Sequence, residues 1–215
     1  MNTDQRYRWL YQPALILACL APLAWLLARG LGWADVTLGA NPVRELLHVL
    51  GKTAINLLWL TLAVTPLRDL LRAPQLLRLR RTLGLFAFGY ALLHFTVYAT
   101  LDLGFDAAQL GTDLVKRPYI LVGAIALLAL LPLAATSTQA MMRRLGRRWQ
   151  TLHRLIYPAT LLVVWHFAWQ VKADLTEPLL YAAALAALLG WRAWRVRARR
   201  RVTSTSAAAT TPGRT

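Results

Sequence analysis

Six apolar stretches, each near the ~20 residues needed to cross a ~30 Å hydrocarbon core, constrain this chain more than any other feature. They run Pro13–Ala28, Leu46–Val64, Thr82–Leu101, Tyr119–Ala135, Leu152–Val171 and Leu179–Trp194. With 57% hydrophobic and only 16% charged residues, the chain is too apolar for an ordinary soluble domain. The connections are short, which predicts an all-α integral membrane bundle of six transmembrane helices over residues 1–195. The first stretch follows a polar segment and lacks a small-x-small cleavage site, so it reads as helix I rather than a cleaved leader. Residues 196–215 form an arginine run followed by Ser, Thr and Ala, and are expected to be a basic, disordered cytoplasmic tail.

A formal charge of +16 and a pI near 11.4 would suggest nucleic acid in a soluble protein, so the placement of the charges decides. Arg6 and Arg8 precede helix I. Arg68, Arg72, Arg78, Arg80 and Arg81 lie between II and III, and Arg143, Arg144, Arg147 and Arg148 between IV and V. Arg192, Arg195, Arg197, Arg199, Arg200 and Arg201 follow VI. The alternate loops hold fewer, offset by Asp35, Asp102, Asp106, Asp113, Asp174 and Glu177 beside Arg29, Arg44, Lys116, Arg117 and Lys172. This positive-inside asymmetry predicts an inner-membrane protein with both termini cytoplasmic. It assigns the arginines to topology and lipid headgroups, not to nucleic acid. Trp9, Trp25, Trp33, Trp149, Trp165, Trp169, Trp191 and Trp194 fall mostly toward predicted helix ends, where indoles anchor at the interface.

The lone cysteine, Cys19, excludes an intramolecular disulfide, CxxC, CxxCH and cysteine-ligated iron–sulfur sites. Neither GxGxxG nor GxxxxGK[ST] is present, so no dinucleotide or phosphate-cradling domain is expected. No internal repeat stands out, which argues against inverted-repeat transporters.

All four histidines, His48, His94, His153 and His166, lie in or at the edges of predicted spans, where ionisable side chains are rare unless functional. At 1.5 Å per residue, His94 lies ~18 Å into its span from the cytoplasmic side and His166 ~21 Å into its own. The two are level, in the periplasmic half of the bilayer, on parallel helices that can offer both axial nitrogens to one haem iron. Ala87 and Ala91 project near the face of His94 and leave room for a macrocycle. Arg80 shares that azimuth at the cytoplasmic end, facing either a haem propionate or an anionic lipid.

His153 lies thirteen residues before His166, ~20 Å away along an ideal helix and ~140° round it, with Pro158 between them able to rewind the turn. One haem is therefore expected and a second is left open. On helix II, Glu45, His48, Lys52 and Asn56 make a polar stripe. It would serve a propionate, a quinone carbonyl or a flavin phosphate, or else form a structural hydrogen-bond network.

The segments NPVRELLHVLGKTA (Asn41–Ala54), RRTLGLFAFGYALLHFTVY (Arg80–Tyr98), KRPYILVG (Lys116–Gly123) and TSTQAMMRRLGRRWQTLHRLIY (Thr136–Tyr157) strongly resemble the MsrQ (YedZ) family. That family belongs to the ferric-reductase-like transmembrane superfamily. The resemblance covers nearly the whole chain except the tail. It implies an electron carrier rather than a catalytic subunit, taking electrons from quinol through haem b to a periplasmic molybdopterin reductase that repairs oxidised methionine. It further implies His94, His153 and His166 as haem-ligand positions and an association with FMN, for which no separate motif is visible. Two-haem members of the superfamily pair histidines on both ligand helices, whereas Arg80 and Arg81 stand where the second histidine of helix III would be. The rival reading is a proton-coupled transporter or channel that uses the intramembrane histidines as a relay. The loops after helices I, III and V are expected to include the surface that docks the periplasmic partner.

Overall fold

The computed structural model describes residues 5, 7–33, 39–171 and 174–209, with side chains as far as residue 198. Arg6, Asp35, Lys172, the side chains of Arg199, Arg200 and Arg201, and residues 210–215 lie outside the described residues. Among those described, the chain is helical and contains no strand.

A π-helical turn, Tyr7–Tyr11, leads into α1, Gln12–Gly30. The second helix, α2 (Pro42–Leu70), starts sharply because the Asn41 side chain accepts from the Arg44 amide at 3.0 Å and Pro42 occupies the first position, where no N–H is needed. Its 29 residues extend about 43 Å, more than a bilayer core requires. A 3₁₀ turn, Pro74–Arg78, leads into α3, Leu79–Val97, which relaxes into a π turn at Tyr98–Asp102. Next comes α4, Ala107–Lys116, capped by Asp106, which accepts from the Gln109 amide at 2.9 Å. Pro118 opens α5, Pro118–Ala135.

Two short helices follow, α6 (Gln139–Leu145) and α7 (Arg147–Leu152). They are divided by Gly146 at φ +51° and ψ −122°, a conformation open to glycine but not to L-residues with a Cβ. A 3₁₀ turn at His153–Leu155 precedes α8, Ile156–Gln170, and α9 spans Thr176–Ala209.

Four helical segments among the described residues are long and apolar enough to cross a membrane: Tyr7–Gly30, Pro42–Leu70, Pro74–Asp102 and Pro118–Ala135. They correspond to the first four expected spans. The fifth differs from expectation, since Leu152–Val171 is not one continuous helix and α8 has only 15 residues. Pro158 explains the break. It has no N–H to give the carbonyl four residues back, and its ring crowds that carbonyl, so regular α-helix starts at Ile156 and Pro158 sits in its first turn. The sixth lies inside α9, whose backbone continues through residue 196 to Ala209, where a change to an irregular tail was expected.

The core gathers Leu50, Ile55, Leu58, Leu62, Leu83, Ala87, Leu130, Ala159 and Leu185 from α2, α3, α5, α8 and α9. Outward-facing apolar side chains such as Leu17, Leu128, Leu161 and Leu179 stay exposed, which suits lipid rather than water. The Tyr90 hydroxyl donates to the Cys19 carbonyl at 2.7 Å and ties α1 to α3. At one end of the bundle Asp69 pairs with Arg68 and with Arg195, joining α2 to α9.

Candidate functional site

The closest helix pairings are α2 with α3 and α5 with α8. A cavity of about 390 Å³ lies between the two pairs, within the range of cofactor sites. Small and aliphatic side chains, Ala87, Ala91, Ala126, Leu130 and Val163, line its interior, and Arg44, His48, Lys52, Tyr98 and Arg117 line its polar end.

His94 from α3 and His166 from α8 both line this cavity. Their ring centroids are 6.3 Å apart, with planes at 84°. His94 Nδ1 lies 2.9 Å from the Leu47 carbonyl, and His166 Nδ1 lies 2.7 Å from the Tyr119 carbonyl. A carbonyl can only accept, so each Nδ1 carries the proton and donates it. Each Nε2 is then left with its lone pair, the tautomer in which histidine binds a metal with a main-chain oxygen fixing the ring.

The helix II stripe divides among several partners. Glu45 pairs with Arg29 and accepts from the Gly39 amide at 2.8 Å. Lys52 pairs with Glu177 at 2.5 Å. Asn56 accepts from the Tyr181 hydroxyl at 2.6 Å, a link to α9. Only His48 and Lys52 of the four reach the cavity wall, so the structural reading of the stripe applies to Glu45 and Asn56.

Arg80 and His153 do not line the cavity. They stand near one another, and Arg80 also neighbours Tyr157 and Arg192. The His153 ring stacks on Trp149 with centroids 3.8 Å apart, and its Nδ1 lies 3.1 Å from the Trp149 carbonyl.

Asp113 was not expected as part of the site. This buried carboxylate accepts from the Tyr98 hydroxyl at 2.7 Å and from Gln109 Nε2 at 2.9 Å, and pairs with Arg117 at 3.4 Å. It thereby fixes two groups that line the polar end. Also missed were the acceptors at Leu47 and Tyr119, because every residue type has a main-chain carbonyl and sequence does not mark which one a distant ring will meet.

The all-helical chain brings two histidine rings to one cavity, and the class it belongs to is that of ferric-reductase-like transmembrane proteins. A family model described as ferric reductase like transmembrane component matches residues 50–164, more than half of the chain. Three relatives share the name protein-methionine-sulfoxide reductase heme-binding subunit MsrQ. That of Xanthomonas campestris pv. campestris (strain 8004) is 51% identical over 191 residues, covering 89% of this chain and 88% of the relative. The one from Xanthomonas oryzae pv. oryzae (strain MAFF 311018) is 50% identical over 188 residues, covering 87% and 86%. The Polaromonas naphthalenivorans (strain CJ2) protein is 44% identical over 211 residues, covering 94% and 95%. No solved structure matches. The chain belongs to the MsrQ family of membrane proteins.

Proposed function

We propose that this protein carries electrons from the quinone pool, through haem b held between His94 and His166, to a periplasmic molybdopterin-containing reductase that repairs methionine sulfoxide. The observation that carries the proposal is the pair of imidazoles facing each other at 6.3 Å, each donating Nδ1–H to a main-chain carbonyl. With Nδ1 occupied in each ring, His94 and His166 would hold the haem iron through their Nε2 atoms. Among the described residues no cluster of three or more His, Cys, Asp or Glu side chains is placed to hold a metal. Two facing histidines in an apolar cavity suit an ion whose remaining donors come from a planar macrocycle.

The polar end fits the two carboxylates of haem b. Arg44 and Arg117 are the strongest candidates to bind them, with His48 and Lys52 beside them. Haem supplies the one-electron redox couple, and the protein's residues hold it, orient it and keep bulk water away. Arg80 and His153 mark where a second haem would bind at the opposite end, and for that His153 would have to leave Trp149.

Supported by the arginine distribution, the topology is six spans in the bacterial inner membrane with both termini cytoplasmic, residues 1–195 forming the haem domain and 196–215 a basic cytoplasmic tail. That orientation puts the His94–His166 level near the periplasm, where an external acceptor can be served. The test is the absorption spectrum of detergent-purified protein from haem-replete cells. A sharpened α-band on reduction, also obtained with quinol as the only reductant, is expected. Colourless protein would refute the proposal.

A further inference from the structure

The two imidazole seats are built alike. His94 and His166 are 72 positions apart, and so are Gly51 and Gly123 and the carbonyl acceptors Leu47 and Tyr119. In each copy the histidine donates to the carbonyl four residues before the glycine, on the helix most closely packed against its own. The same register relates Leu58 to Leu130 and Ala87 to Ala159, and all four are buried. The units α2–α3 and α5–α8 thus share one register at these few positions, which face the site and the core and are too sparse to stand out along the chain.

The glycines explain how the seats work. A Cβ at Gly51 would stand 3.1 Å from His94 Nδ1, and one at Gly123 would stand 2.7 Å from His166 Nδ1. Real Cβ atoms essentially never come as close as the second, so a methyl at position 123 drives the His166 imidazole off its carbonyl, whereas at position 51 the contact is tight and the His94 ring must give by a few tenths of an ångström.

We propose that Gly51 and Gly123 are a matched pair of positioning residues that seat the two histidines and, through the Nδ1–H bonds, set the donor strength of both Nε2 atoms. The inference rests on the reading of His94 and His166 as axial ligands. A hydrogen bond from the far nitrogen makes an imidazole a stronger donor, which favours oxidised iron. Loss of that bond raises the reduction potential, and loss of the ligand converts low-spin haem to high-spin. The shorter distance at Gly123 makes it the more sensitive position.

The test compares midpoint potential and spin state in the purified full-length haem protein with those of Gly51→Ala, Gly123→Ala, His94→Ala and His166→Ala. Both histidine variants should lose the low-spin band. Gly123→Ala should raise the potential or yield a high-spin fraction, and Gly51→Ala should do so to a smaller extent. Unchanged potential and spectrum in both glycine variants, alongside histidine variants that have lost the band, would overturn the positioning role and leave the ligand reading standing. Low-spin haem persisting in the histidine variants would overturn the ligand reading itself. If Gly123→Ala does not accumulate, nitrogen-15 histidine spectra of the reduced wild-type protein decide the matter. Two hydrogen-bonded Nδ1–H groups are expected there, and iron on Nδ1, or an Nδ1–H without a partner, would reject the proposal.

Discussion

The imidazole planes of His94 and His166 stand nearly perpendicular, at 84°, while each ring is fixed by its own main-chain acceptor. Neither ring can turn without losing a hydrogen bond, so the crossed arrangement should persist when a metal is held between them. Crossed axial ligands leave the two iron π-type orbitals close in energy. The oxidised protein should therefore give a highly anisotropic low-spin electron paramagnetic resonance signal dominated by one large-g feature. A rhombic three-line spectrum, the mark of parallel planes, would show that the rings rotate on loading.

His153 is held away from the cavity by stacking on Trp149. His153→Ala should leave the main low-spin band at full intensity, read as haem per protein in the purified sample. A large loss of that band would mean that His153 is a ligand of the principal haem.

Arg44 lines the polar end, and no side-chain ion pair engages it among the described residues. Arg44→Ala should weaken haem retention about tenfold, the effect of losing one charge-assisted hydrogen bond of about 1.5 kcal/mol. The rate of haem loss to a soluble scavenger reads this directly. The low-spin spectrum of the haem still bound should be unchanged, because Arg44 does not touch the ligands.

Asp113 gathers Tyr98, Gln109 and Arg117 beneath α4. Asp113→Ala leaves these donors without their shared acceptor and should cost about 3 kcal/mol, seen as a lower thermal midpoint in detergent. Asp113→Asn keeps part of the network and should cost less. Equal midpoints for wild type and Asp113→Ala would show that the network adds nothing to stability.

Much of the helical layout was legible because apolar runs and turn chemistry are local. The spans expected from Leu46 and Tyr119 lie within helices that begin at Pro42 and Pro118. Pro158 was visible too, but its consequence was underestimated: it breaks the fifth stretch instead of merely bending it. The stacking of His153 on Trp149 was also legible in principle, since the two are four residues apart on the chain. The pairing of Lys52 with Glu177 was not. Glu177 lies on α9, a helix whose rotation no local pattern around Lys52 specifies.

Sequence by itself determined the class of protein and the first four helical spans, because apolar runs are local, and it set His94 and His166 at one level, because the rise per residue converts position along a helix into distance without reference to any neighbour. Only the tertiary structure decided that the two rings face each other, that Leu47 and Tyr119 fix their tautomers, and that Gly51 and Gly123 lie under them. Those relations depend on how each helix is rotated and paired, and rotation is settled by packing between segments far apart in the chain.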